Sequence, residues 1–210
     1  MRRVVIARPG SYDRLKLETA TPLEPSPDEI VIDVAAAGVN YADCMVRMGL
    51  YASAKEFVGW PVTPGFEVAG TVAAVGANVE SHRVGDRVFA LTLFNGYASQ
   101  LCTKAVYAFP LPERMSFEQG AAFPTVYLTA WFALHELAHP RPGAKILVHS
   151  AAGGVGGSLV QLAKRAGAEV TGVVGASHKV ETVHQHGADH VIDKSTQDLW
   201  RAAERIAPEG

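Results

Sequence analysis

Residues 145–167, KILVHSAAGGVGGSLVQLAKRAG, constrain the fold more than any other stretch of the chain. Ile146, Leu147 and Val148 form an apolar run of strand length, and a glycine-rich turn follows from Ala151 to Gly157. Leu159, Val160, Leu162, Ala163 and Ala166 then recur at helical spacing until Gly167 stops the helix. The next apolar run, Val170 to Val174, is placed to return as a parallel strand, so the segment reads as a βαβ unit. A helix start presents unpaired N–H groups and the positive end of a dipole, and glycines there let the backbone approach a pyrophosphate. On the G-x-G-x-x-G template Ala151 takes the first glycine position, Gly153 the second and Gly156 the third. Alanine fits the first position if the turn keeps a negative φ there. Gly153 is expected to matter most, because a side chain there would meet the phosphates. Ala152, Gly153, Gly154, Val155 and Gly156 are thus the expected cradle of a dinucleotide.

Composition narrows the setting. With 210 residues and a formal net charge of -2, the chain is one or two domains and lacks the charge for non-specific nucleic-acid binding. No apolar run is long enough to span a membrane. The apolar start Val4-Val5-Ile6 ends at Ala7, too short for a signal peptide. Two cysteines, Cys44 and Cys102, give no disulfide framework and cannot supply a four-cysteine zinc site, so a reduced, cytoplasmic protein is expected. No internal repeat or low-complexity segment is present.

The N-terminal part alternates short β-rich runs with Gly and Pro turns. Val4 to Ala7 and Ile30 to Ala36 read as strands joined by a turn-rich connection at Pro22, Pro25 and Pro27. Asn40 to Gly49 looks helical, and Val68 to Val75 reads as a strand broken by Gly70. Val88 to Leu91, Tyr97 to Thr103 and Ala105 to Pro110 add further extended pieces, and Tyr51 to Trp60 reads as a loop. Together they predict a partly open β-barrel. Ser116 with Gln119 three residues on is a capping-box helix start, Pro124 breaks that helix, and Val126 to Leu137 forms a second. After the glycine turn, a helix is expected from about His178 to His186, a strand over His190 to Ile192, and a helix over Leu199 to Ile206. The expected division is a barrel over residues 1–122, connecting helices over 123–142 and a nucleotide-binding segment over 143–210. A doubly wound sheet has two mononucleotide-binding halves. Strands for only the first are present, so the chain reads as truncated.

Several motifs carry a resemblance. They are Ala37-Gly38-Val39-Asn40-Tyr41-Ala42-Asp43, Arg47-Met48-Gly49-Leu50-Tyr51, Pro64-Gly65-Phe66-Glu67, Val84-Gly85-Asp86-Arg87-Val88, and the run from Val148 through Gln161 to Lys164. In these the sequence resembles the medium-chain dehydrogenase/reductase superfamily, and most of all its zinc-independent quinone oxidoreductase branch with the zeta-crystallins and vesicle amine transport protein homologues. The resemblance implies an α/β chain: a GroES-like barrel domain followed by a Rossmann-type domain, of which only the first half is present. It also implies a homodimer in the full-length protein.

Zinc alcohol dehydrogenases of this superfamily place a Cys just after the Gly-Val pair and a His in a Gly-His-Glu triplet. Here those positions hold Asn40 and Phe66. An amide replaces a thiolate poorly, and phenylalanine cannot ligate. His184 and His186, two apart, do not share a helix face. Metal independence is the expectation. Without a Lewis acid, hydride transfer to a quinone or α,β-unsaturated carbonyl fits better than alcohol oxidation, because hydrogen-bond donors can stabilise the oxygen where charge develops. Asn40 is the candidate polar group beside the nicotinamide, or else only the cap of the following helix. Tyr51 matches a tyrosine the family places at the substrate cleft, or else is a half-buried aromatic. Thr129 matches a family threonine near the nicotinamide carboxamide. Asp43 and Glu67 read as structural, paired with a nearby base.

The coenzyme is read at the end of the second strand. NAD-binding folds place a carboxylate there, about 20 residues past the glycine turn. Here Val173-Val174-Gly175-Ala176-Ser177 has none before Glu181. A small uncharged site with Lys179 close behind suits a 2′-phosphate, and Gly175, Ser177 and Lys179 match the pattern of the family's NADPH-dependent members. Where that family often has a tyrosine against the adenosine, this chain has Lys194 after Asp193, which either adds a second phosphate contact or weakens adenine packing. NADPH is therefore the expected coenzyme, and a small-molecule quinone or enone the expected substrate. Two alternatives stay open: an enoyl reductase of fatty-acid or polyketide type, and an NADPH-binding protein of the vesicle-associated or crystallin kind with little catalysis.

Overall fold

The computed structural model describes residues 1–209. It divides into two compact units, Met1–Thr125 and the residues from Val126 on. In the first unit, β1 (Arg2–Ile6) and β2 (Leu15–Thr19) pair as an antiparallel hairpin. β3 (Glu29–Ala37) leads through α1 (Tyr41–Arg47) and α2 (Ala52–Phe57) to β4 (Glu67–Val75), then β5 (Arg87–Leu91), β6 (Gln100–Lys104), β7 (Ala108–Pro110) and α3 (Phe117–Ala122). The last five strands form one antiparallel sheet in the order β6-β3-β4-β5-β7.

That sheet curls because β3 carries two register shifts, between Val31 and Ile32 and between Val34 and Ala36. Ile30 and Ile32, two apart on β3, point to one face and pack with Val68, Val72, Val88, Ala90 and Leu101. A second cluster gathers Ile6, Val46, Ala54, Val62, Phe66 and Phe94. The half-barrel expected from the alternating runs is what forms. Gly70 does not break β4, however. A Cβ at Gly70 would lie 2.0 Å from the Asp33 carbonyl oxygen, so the glycine lets two paired strands approach closely.

α4 (Pro124–Trp131) begins on its proline at the end of the first unit and, within the second, runs into a π-helical stretch, Phe132–Ala138. His139, at φ 47°, ends it by donating its N–H to the Leu134 carbonyl at 2.9 Å. β8 (Lys145–Val148), α5 (Gly154–Arg165), β9 (Glu169–Val174), α6 (Val180–Gln185), β10 (His190–Asp193) and α7 (Leu199–Ile206) follow. The three strands are parallel in the order β10-β9-β8. β9 is buried over five of its six residues, as the centre of such a sheet must be. Val160 and Ala163 of α5 pack with Val148, Val170, Val174 and Val183, while Ala202 of α7 packs with Val173 and Ile192 on a separate cluster. Among the described residues no helix is long and apolar enough to cross a membrane.

Candidate functional site

The glycine turn is built by one residue whose φ is unusual for its type. Ser150, just beyond β8, has φ 53°, which puts the left-handed kink one residue before Ala151. Ala151 itself stays outside that region, is fully buried, and donates its N–H to the Val173 carbonyl of β9 at 3.1 Å. The first template position therefore accepts a methyl group, as the sequence required.

Gly153 and Gly156 are glycines for different reasons. A Cβ on Gly153 would meet only the Ser150 carbonyl oxygen, at 3.2 Å, so the protein itself leaves room there. A Cβ on Gly156 would lie 2.2 Å from that oxygen and 2.8 Å from its carbonyl carbon. Gly156 thus lets α5 sit against the turn, while Gly153, the N-cap of α5, keeps the helix start open to a ligand. Gly154 begins α5, and Val155 is half-buried one residue on.

In front of this helix start lies a cleft of about 300 Å³. His149, Ser150, Ala152 and Gly153 line one side, Val173, Val174 and Gly175 the end of β9, and Lys179 and Lys194 the remainder. Lys194 passes close to Gly175: a Cβ there would be 3.5 Å from the lysine Cε. The cleft therefore brings the start of α5 and two ammonium side chains to one lining, with the Gly153 N–H itself donated to the Ser150 carbonyl at 2.8 Å. Two separated anionic groups, such as a pyrophosphate and a 2′-phosphate, match that distribution. Ser177 is not part of the lining. Its hydroxyl donates to Asp193 Oδ2 at 2.5 Å. Thr129 lies exposed on α4, outside the lining of this cleft.

Asn40 and Tyr51 belong to the first unit, where a hydrogen-bonded network holds Asn40 from two sides. Its backbone N–H donates to Asp43 Oδ2 at 2.8 Å, and its side-chain Nδ2 donates to Glu67 Oε1 at 2.7 Å. Asp43 Oδ1 also accepts from the Gly65 N–H at 3.0 Å, and its Oδ2 from the Tyr97 hydroxyl at 3.0 Å. Glu67, 1% exposed, accepts at Oε2 from the Thr125 N–H at 2.8 Å. The partners of both carboxylates are thus amides and a phenol, not the base expected from the sequence. An amide NH₂ has two hydrogens, so Asn40 keeps a second donor and its Oδ1 beyond the bond to Glu67. Tyr51 caps α2 and is half-buried, its ring 5.5 Å from that of Phe66 and 6.3 Å from that of Phe94.

Burial raises the Asp43 carboxyl above its ordinary 3.8, against the bonds from Asn40, Tyr97 and Gly65 that hold it down. Burial, with the charge of Asp43 beside it, pushes the Tyr97 hydroxyl well above the usual tyrosine range. An acid whose folded value is raised stabilises the fold below the unfolded value and loses that contribution as pH rises through the folded one. Carboxyl-carbon NMR should place the Asp43 titration above 3.8, and the stability contribution of this group should fall with rising pH across that window. Cys102, whose thiol donates to Glu29 Oε2 at 3.4 Å, is pushed to about 11 by burial and by that carboxylate, which makes it a poor thiolate nucleophile at neutral pH.

Comparison with known proteins bears on both units. A family described as "Alcohol dehydrogenase GroES-like domain" matches residues 26–135, and one described as "Zinc-binding dehydrogenase" matches residues 154–210. The chain belongs to the medium-chain dehydrogenase/reductase superfamily. Within it the likeness is to the quinone oxidoreductase branch. The synaptic vesicle membrane protein VAT-1 homolog of Homo sapiens is 38% identical over 100% of this chain, which spans 53% of that protein. The CurK enoyl reductase structure superposes with a TM-score of 0.91 at 35% identity, over 100% of this chain and 64% of its own. The Escherichia coli quinone oxidoreductase complexed with NADPH superposes with a TM-score of 0.88 at 33% identity, over 99% of this chain and 63% of its own. The chain spans about half the length of the curated relatives it matches.

As a medium-chain dehydrogenase/reductase the chain has a GroES-like half-barrel and the first half of a Rossmann sheet. Sequence reasoning missed Asp193, His149 and Tyr97. The local pattern Asp193-Lys194-Ser195 is a signal for an aspartate folding back on its own turn, and could have found the first. His149 had the weaker signal of standing between strand and turn. Tyr97 reaches Asp43 across 54 residues, and no local pattern announces that.

Proposed function

We propose that this chain is the barrel and first nucleotide-binding half of an NADPH-dependent, zinc-independent oxidoreductase acting on a quinone or an α,β-unsaturated carbonyl. The observation that carries the reading is the cleft itself, with Gly153 open at the helix start and Lys179 and Lys194 at the far end beside Gly175. Bound NADPH supplies a hydride. The chain's own residues bind and orient: the helix start holds the pyrophosphate, and the two lysines hold the 2′-phosphate. Asn40, fixed by Glu67, presents its second amide hydrogen to the substrate carbonyl oxygen, where charge develops. Tyr51 forms part of the substrate wall, and Thr129 serves the carboxamide side of the coenzyme.

Zinc independence is supported by the side chains at the two family ligand positions. Phe66 is buried against Tyr51 and Phe94, and Asn40 presents an amide in place of a thiolate, one of its hydrogens donated to Glu67. Among the described residues no three His, Cys, Asp or Glu side chains stand together to hold a metal ion. The two cysteines are unpaired, which supports a reducing, cytoplasmic setting; a homodimer is part of the same proposal through the family alone.

The test uses the protein at its natural length. Lys179→Ala and Lys194→Ala should each raise the KM for NADPH about tenfold and leave that for NADH nearly unchanged. Equal effects on both coenzymes would remove the 2′-phosphate assignment. A second reading, an enoyl reductase, is favoured by the likeness to the CurK enzyme. Turnover of an enoyl thioester faster than of any simple quinone would select it. The name of the VAT-1 homolog favours a third, a binding role at vesicles; tight NADPH binding with no turnover of either acceptor class would select that.

A further inference from the structure

Asp193 ends β10 and is 5% exposed, yet it does not line the cleft. Its carboxylate is almost fully used. Oδ2 accepts from the Ser177 hydroxyl at 2.5 Å, and Oδ1 accepts from the Ser195 N–H at 2.9 Å and the Ser195 hydroxyl at 2.6 Å. These donors, Ser177 foremost, hold the carboxyl below its ordinary value, so it is ionised at neutral pH. The Ser195 bonds are local and would form at many strand ends. The Ser177 bond is different. It spans 16 residues and joins the turn after β9 to the turn after β10. Ser177 opens the 3₁₀ turn that carries Lys179, and Lys194 stands between Asp193 and Ser195. A backbone bond from the Lys194 N–H to the Val174 carbonyl, at 3.0 Å, fastens the second turn to the end of β9.

We propose that Asp193 is the positioning residue for 2′-phosphate recognition: through Ser177 on one side and Ser195 on the other, its carboxylate clamps together the two turns that carry Lys179 and Lys194. The proposal rests on the NADPH reading above and adds how selectivity is enforced. Lysine side chains are long and flexible, so two of them converge on one dianion only if their backbone anchors are held. The clamp supplies that hold with a carboxylate that does not line the cleft. Its donors, two hydroxyls and a backbone N–H, spread its negative charge without removing it.

The decisive variants are Ser177→Ala, which cuts the long-range arm and leaves the local turn, and Asp193→Asn, which keeps the shape and removes the charge. Ser177→Thr, which keeps the hydroxyl, is the conservative control. Calorimetric titration of the full protein with adenosine 2′,5′-bisphosphate and with adenosine 5′-monophosphate reads the effect without any turnover. Wild type should prefer the bisphosphate. Ser177→Ala and Asp193→Asn should weaken the bisphosphate about tenfold, leave the monophosphate nearly unchanged, and retain a cooperative thermal transition. Ser177→Thr should restore wild-type binding. Unchanged or tighter bisphosphate binding in both variants overturns the clamp, because it makes Asp193 a bystander or a repulsive neighbour. Equal weakening of both ligands overturns it too, by making the effect a general loss of the cleft. A wild type with no preference overturns both the clamp and the NADPH reading, whereas a preference that survives Ser177→Ala overturns the clamp alone.

Discussion

Replacing Gly156 with alanine is expected to destabilise the second unit by about 3 kcal/mol or more, while the same change at Gly153 leaves its stability within about 1 kcal/mol. In an ordinary helix interior the glycine-to-alanine change stabilises by about 1 kcal/mol. The sign reverses at Gly156 because the new Cβ would sit 2.2 Å from the Ser150 carbonyl oxygen. That oxygen belongs to backbone, so no rotamer change relieves the clash. The same residue, Ser150, already holds a φ of 53°, which leaves little slack in the turn. At Gly153 the nearest atom to a new Cβ is 3.2 Å away, and the backbone there, φ -85° and ψ 171°, suits alanine. The methyl would instead fill the space in front of the helix start, so Gly153→Ala should weaken NADPH by about tenfold or more with little change in melting. Thermal melts and coenzyme titrations on the two variants check this. Equal destabilisation by both would refute the division of roles.

Asp43→Ala is expected to have a comparable effect in the first unit, about 3 kcal/mol or more. The carboxylate accepts from the Asn40 N–H, the Gly65 N–H and the Tyr97 hydroxyl, and the alanine would leave all three without that acceptor. Two of these are backbone groups, and Gly65 is held at φ 102° between Pro64 and Phe66. Losing its acceptor therefore loosens the loop that places Phe66 and Glu67. Asp43→Asn is the informative comparison. It keeps the volume but turns one acceptor into a donor, so it should recover only part of the loss. Chemical denaturation read at Trp60, in the same cluster as Phe66, measures both variants. An Asp43→Asn protein as stable as wild type would contradict the assigned bonding.

Much of this fold could be read from residues alone, wherever a local pattern carried the physics. The Ser116–Gln119 capping box is present with both halves formed, at 3.2 Å and 3.0 Å. The helix over Leu199–Ile206 begins and ends where its periodicity says. The misses share a cause. All five residues of β2 are exposed, so no core-facing alternation marks that strand. α2 buries only Ala54, which left residues 52–57 looking like loop. The π-helical stretch Phe132–Ala138 has apolar residues on several faces and cannot be told from an α-helix by period. At the site, the glycine turn and both lysines were legible because they are local. The ties from Ser177 to Asp193 and from Tyr97 to Asp43 were not, since each joins segments that only the fold brings together.

The strand order β10-β9-β8 has a consequence for how the glycine turn moves. β8, which leads directly into the turn, has a partner on one flank only among the described residues, whereas β9 has one on each. In parallel pairing, each neighbour engages alternate amides of a strand. Among the described residues half the amides of β8 therefore have no ladder partner, and in the 210-residue chain they should exchange with deuterated solvent far sooner than those of β9. Exchange should be slow at Val170 to Val173, and fast at alternate positions of Ile146, Leu147 and Val148. The bond from Ala151 to Val173 ties the turn to β9, so the opening of the turn is coupled to the protection of that strand.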